Sequence, residues 1–227
     1  MNKFTSKVAA AALTMSLASV SVQAVADSSK PIVIPIHNWS SQVVMSYVIG
    51  GIFESMGNNV SYVPADSSGV YESIRLGDVT ISHEVWEGAF GHAFYTAMKK
   101  GGLIEAGTHS ALTIEDMGVP KWVIEQNICP GLPDWEALKG CGSKFASADS
   151  GGKGVFLDGP WHVDPDTGKN LFEDRIGALG LDDEYTYKQT GSADALWAAI
   201  DSAKAAGEGI IIFNWTPNFT DSEGFVF

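Results

Sequence analysis

The stretch Ile32-Val33-Ile34-Pro35-Ile36-His37-Asn38-Trp39-Ser40 reads as a buried strand running straight into a helix cap. Its apolar residues follow one another without alternation, which suits a strand covered on both faces, as in parallel sheets. Ser40 can accept a hydrogen bond from the first turn of the helix that follows. That helix carries Val44, Val48, Ile52 and Met56 at spacing four and closes at Gly57. Strand and helix then alternate along the chain, with no internal repeat. Strands are expected over 59–63 and 79–81, and helices over 67–76 (ended by Gly77) and 90–99 (before Gly101-Gly102). Beyond Gly118-Val119-Pro120 the pattern predicts a strand over 121–125, a short helix capped by Asp134 up to Leu138, and a strand over 145–148. A flexible glycine-rich run over 150–154 follows, then helices over 171–179 and 193–206, the second between Ser192 and Gly207. Strands over 210–213 and at Phe225-Val226-Phe227 end the chain. Alternation of this kind predicts an α/β fold with largely parallel sheets.

Residues 1–26 read as a secretory signal rather than structure. Lys3 and Lys7 precede an apolar stretch over 8–20, and Ala24-Val25-Ala26 is a cleavage pattern before Asp27. The apolar stretch is short for a membrane span, so the expected product is exported to the periplasm. Loss of Lys3 and Lys7 takes the formal charge from −13 to −15. That acidity argues against nucleic acid as a partner, because phosphates call for lysine and arginine. In an oxidising compartment Cys129 and Cys141, which flank Pro130-Gly131-Leu132-Pro133, are expected to form a disulfide.

Familiar catalytic constellations do not fit. His83-Glu84-Val85-Trp86-Glu87 begins like a zincin helix but has Glu87 where the second histidine belongs. Asp149-Ser150-Gly151 lacks the earlier glycine of a nucleophile elbow. The glycine-rich run through Lys153 matches no phosphate loop, and no cofactor is expected. Oxygen-bearing residues alternate from Asp164 to Asn170, as in calcium loops. The position that would complete such a loop is Arg175, so a solvated acidic turn is the better reading.

The tryptophans carry more. Trp135 and Trp197 fall inside expected helices and read as packing residues. Trp39, Trp86, Trp122, Trp161 and Trp215 instead follow strands or Gly/Pro-rich segments. A strand end in an α/β protein faces a binding crevice, and converging indole faces attract a cation that makes no strong hydrogen bonds. Core packing is the ordinary role of any one of them alone. Glu84, two residues before Trp86, shares its face in an extended segment and adds charge beside the indole; a capping glutamate is the competing reading.

Asn38-Trp39-Ser40-Ser41-Gln42, the run from Tyr71 to Asp78, Glu84-Val85-Trp86, Val119-Pro120-Lys121-Trp122-Val123 and Phe213-Asn214-Trp215-Thr216-Pro217 occur in that order. Together they resemble the glycine betaine/choline/proline betaine substrate-binding proteins of ABC importers, and within them the trimethylamine N-oxide binders. The resemblance spans the expected mature chain. It implies a bilobed type II periplasmic-binding fold, two sheets flanked by helices with the ligand cleft between lobes: lobe I over 27–117, lobe II over 118–214, and a return toward lobe I begun over 215–227. It implies a small methylated-amine ligand caged by Trp39, Trp86, Trp122, Trp161 and Trp215 with Glu84, and a membrane permease as partner. Family members continue past this point, so a C-terminally truncated chain is expected. Two other classes remain open: an exported hydrolase with an unfamiliar site around Glu84 or Asp149, and a sugar-binding protein, whose ligands also stack on tryptophan.

Overall fold

A computed structural model describes residues 28–164 and 167–227. The expected signal segment lies outside the described residues, as do Pro165 and Asp166 of the acidic turn. Strand β1 (Ile32–Ile36) forms as its sequence predicts and pairs in parallel with β2 (Val60–Pro64). Helix α1 (Ser40–Ser55) joins them. The segment expected as a strand over 79–81 is extended but makes no ladder: Thr80 donates its N–H to the Val33 carbonyl and accepts from the Val33 N–H through its hydroxyl. Helices α2 (Val70–Leu76) and α3 (Glu87–Lys100) complete this part, α2 ending on Gly77 in the left-handed conformation.

The second sheet has five strands in the order β5-β4-β6-β3-β7. Strand β3 (Ile114–Pro120) leads to helix α4 (Lys121–Glu125). Strand β4 (Gly154–Asp158), helix α5 (Leu171–Ala178), strand β5 (Tyr185–Gln189), helix α6 (Ala193–Ala206), strand β6 (Ile211–Thr216) and strand β7 (Phe225–Val226) follow. Strands β4, β5 and β6 are parallel, whereas β3 runs antiparallel to both β6 and β7, so the sheet is mixed rather than largely parallel. Strand β3 crosses residues 117 and 118, where the two lobes were expected to divide, and the tail residues Phe225 and Val226 pair with β3.

Several local expectations are corrected. Residues 121–125 are helical, because Pro120 ends β3 and the chain turns down through α4. Residues 142–145 form a 3₁₀ turn and 146 a single bridge, not a strand over 145–148. The apolar stripe of α1 also faces out: Val44, Val48, Ile52 and Met56 are 59, 48, 54 and 49% exposed, whereas Gln42 and Ser46 are fully buried. The polar face is inward because β1 needs it. The Pro35 carbonyl accepts from Gln42 Nε2 (2.8 Å) and Ser46 Oγ (2.9 Å), and the His37 N–H donates to Gln42 Oε1 (2.8 Å). Buried hydrogen-bonding groups that find partners cost little to bury.

Two hydrophobic clusters pack against the larger sheet. Ile211 of β6 and Phe156 of β4 belong to one, which also holds Cys129 and Cys141. Ile212 and Phe213 of β6 belong to the other, which they share with Trp39, Phe90 and Phe94. The cysteines are joined as a disulfide, with their Cα atoms 5.9 Å apart. The acidic turn closes on itself: Thr167 donates its N–H to Asp164 Oδ1 and Gly168 to the Asp164 carbonyl. Among the described residues no helix is long and apolar enough to cross a membrane.

Candidate functional site

The N-cap positions of α1 and α3 are both tryptophans, Trp39 and Trp86. Each leaves the helical backbone path just before the first turn, so its indole projects from the end of the smaller sheet toward the larger one. Trp161 and Trp215 approach from the other side, Trp161 from the loop after β4 and Trp215 from β6. Together with Ala89, Phe90, Glu115 and Phe213 these four indoles line a cavity of about 260 Å³, the space at its open mouth included.

The rings meet at large angles, as the walls of a box do. Trp161 stands edge-on to Trp39 (centroids 6.2 Å apart, 90°) and to Trp215 (5.5 Å, 89°), and Trp86 meets Trp215 at 6.3 Å and 65°. Every lining indole with a buried N–H has an oxygen waiting for it. Trp39 and Trp86 both donate to Glu84 Oε1, each at 2.8 Å, and Trp161 donates to Asn38 Oδ1 at 2.6 Å. These bonds fix the ring edges of Trp39, Trp86 and Trp161. His37 backs Trp39 by stacking at 5.0 Å and 15°, and its Nδ1 bonds to the Ala65 carbonyl. Burial pushes its pKa down, so the neutral ring donates there. Trp197 backs Trp215 at 5.4 Å.

The loop bearing Trp161 is held from below. Fully buried Asp158 meets His162 Nδ1 at 2.8 and 2.9 Å and accepts the Gly159 N–H at 2.7 Å. The His162 ring in turn packs on Phe213 (4.3 Å) and Phe172 (4.7 Å). Glu115 is the one carboxylate among the cavity's lining residues. It stands opposite Trp215 in the β3–β6 ladder and accepts from the backbone N–H groups of Gly88 and Ala89 in the first turn of α3. Burial raises its pKa above the ordinary carboxylate value.

Of the residues expected from the sequence, the structure brings Trp39, Trp86, Trp161 and Trp215 together. Trp122 is elsewhere: it occupies the first turn of α4 and packs between the two clusters, its Nε1 buried without a hydrogen-bond partner. Glu84 lies behind two indoles and outside the cavity lining. Trp135, expected to pack, is 41% exposed under the Lys139 ammonium. Asp149, the other centre of the hydrolase alternative, is on the surface and paired with Lys188. Sequence reasoning missed Phe90, Phe213 and Glu115. A signal existed for Phe213, which is two residues from Trp215 on one strand and so shares its face. For Glu115 there was none, because β3 itself went unrecognised.

Residues 30–223 match the family model described as the substrate binding domain of the ABC-type glycine betaine transport system. The chain belongs to this family. It is 61% identical over 221 residues to the trimethylamine N-oxide-binding protein of Pelagibacter ubique (strain HTCC1062), a match covering 95% of this chain and 68% of that protein. Among solved structures, the glycine betaine/L-proline-binding protein ProX from Borrelia burgdorferi superposes with a TM-score of 0.69 at 22% identity, over 87% of this chain and 68% of the other. A choline-binding protein of an ABC transporter, in complex with choline, gives 0.68 at 13% identity over 86% and 63%. Lactococcal OpuAC, closed on glycine betaine, gives 0.62 at 14% identity over 87% and 70%. At these identities the solved structures establish the fold, which is the type II periplasmic-binding architecture shared by the family.

Proposed function

We propose that this chain is the extracytoplasmic receptor of an ABC importer for a methylated-amine osmolyte, trimethylamine N-oxide or glycine betaine, which it delivers to a membrane permease. The observation that carries the reading is the box of Trp39, Trp86, Trp161 and Trp215 around a small cavity with one half-buried carboxylate. A trimethylammonium head offers no hydrogen-bond donor, so a polar site gains little from it. Indole faces attract it electrostatically, each contact contributing about 0.5–2 kcal/mol depending on desolvation. The identity to a trimethylamine N-oxide-binding protein favours that ligand class.

Glu115 gives the site its polarity. As a carboxylate it is the counter-charge of the head group. Its raised pKa brings the protonated form nearer to neutral pH, and that form donates to an N-oxide or carboxylate oxygen. Two walls of the box come from residues before 117 and two from residues after 118. If 27–117 and 118–214 act as lobes, the grip forms only when they close. Trp122 is left out of this cage. Export through the segment over 1–26 completes the reading.

Isothermal titration of the folded chain against trimethylamine N-oxide, glycine betaine, choline and dimethylsulfoniopropionate tests it. Heat from at least one is expected. Silence from all four in a protein with folded circular dichroism would sink the proposal.

A further inference from the structure

Glu84 has an arrangement that cage geometry alone does not require. Its Oε1 accepts the indole N–H of Trp39 and of Trp86, both at 2.8 Å, and Ser41 Oγ donates to the same carboxylate at 3.2 and 3.4 Å. Every one of these partners is a donor, the set that fits an acceptor-only carboxylate. The side chain is 13% exposed, and the basic group beside it is His83, whose Nε2 stands 3.9 Å from Oε2. Neither His83 ring nitrogen has a hydrogen-bond partner, and burial holds its pKa down against the opposing pull of the Glu84 charge, with His37 and His109 adding like charge when protonated. The hydrogen bonds of Glu84 Oε1 go to the two indoles and none to His83.

Their response bears on binding. A ring attracts a cation because its face is negative and its edge positive. A carboxylate at the N–H pulls the indole dipole toward itself, and hydrogen-bonded groups polarise one another in a low-dielectric interior. The faces of Trp39 and Trp86 become more negative, and both residues line the cavity. We infer that Glu84 is a positioning and specificity residue of the cage: from behind, one carboxylate oxygen fixes two ring edges and makes both faces selective for a cation over a neutral ligand of the same shape. The inference rests on the proposed methylated-ammonium ligand but adds a residue that does not touch it.

The test compares choline with 3,3-dimethylbutan-1-ol, in which carbon replaces the charged nitrogen, by titration into the wild type, E84Q and E84A. Glu84→Gln keeps an acceptor oxygen and nearly the same volume while losing the charge. E84Q is expected to weaken choline by about tenfold, near 1.4 kcal/mol, with the neutral alcohol changed by less than about twofold. E84A should weaken both, because the rings are also released. A double-mutant cycle adds a second readout: in a W39F/W86F background, which has no indole N–H to hold, E84Q should cost choline nothing further. Equal losses for both probes in E84Q, no loss for either, or an undiminished E84Q effect in the double-Phe background each overturn the inference. If the wild type binds no methylated ammonium, it is the proposed function that fails, and this inference with it.

Discussion

Gly159→Ala is a one-methyl perturbation whose consequences can be worked out from the structure. A Cβ at this position would lie 2.2 Å from Trp161 Cζ3 and 2.5 Å from both Cε3 and Cη2. The Gly159 backbone is not in the left-handed region, so contact and not backbone strain is the issue. Three ring atoms inside 3 Å cannot be relieved by a small rotation. The indole is only 4% exposed and is wedged among Trp39, Trp215 and Phe213. It must leave, breaking its 2.6 Å bond to Asn38. Overpacking costs about 1–3 kcal/mol of stability. For the ligand, the lost hydrogen bond (~1 kcal/mol) and the lost cation–π face (~0.5–2 kcal/mol) together weaken affinity by about ten- to a hundredfold. Urea unfolding and isothermal titration with the best wild-type ligand measure the two effects separately. A G159A protein with wild-type affinity and wild-type stability would refute the placement of Trp161 as a wall of the site.

Asn38→Ala removes only the acceptor that ties Trp161 to the opposite side of the cavity; titration should show affinity down by about five- to tenfold, with stability lower by about 1 kcal/mol. Glu115 has a raised pKa, so the native state holds its proton more tightly than the unfolded chain does. The stability it contributes is full below its ordinary value of 4.5 and is lost as pH rises through the raised folded value. E115Q should therefore make the ligand-free protein more stable at pH 7 and flatten that decline in denaturant titrations. His83 has the opposite sign: its folded pKa is depressed, so stability present above 6.5 is lost as pH falls below that value, and H83Q should reduce the acid-side loss in thermal melts between pH 7 and 5.

Local signals located several elements of the fold and four of the residues that line the cavity. The strand β1 was legible as an unbroken apolar run, and α6 as a helix bounded by Ser192, which caps the Ala195 N–H, and Gly207 in the left-handed conformation. The strand-following tryptophans gave four of the cavity's walls. Strand β4 was hidden because it starts on Gly154 directly after a glycine-rich run. That glycine is required by packing: a Cβ there would meet the Tyr185 ring at 2.5 Å. Strand β5 did carry an aromatic and β-branched alternation, Tyr185-Thr186-Tyr187, that a period-two reading should have found. Strand β3 was obscured by Glu115-Asp116 and Gly118, and Glu115 went with it. The outward face of α1 was not legible at all. Periodicity shows that a helix has an apolar stripe, but the hydrogen bonds of Gln42 and Ser46 to β1 decide which side lies inward. Trp122 reads as a cavity residue from its Gly/Pro-rich segment, and the structure puts it in the first turn of α4, outside the cavity's lining.

A co-crystal structure with trimethylamine N-oxide is the decisive measurement for the four-tryptophan cage. The ligand nitrogen is expected within about 6 Å of the ring centroids of Trp39, Trp86, Trp161 and Trp215, with its oxygen toward Glu115 and Trp122 out of contact. A ligand bound anywhere else in the molecule, or resting on Trp122 in place of these four rings, would contradict it.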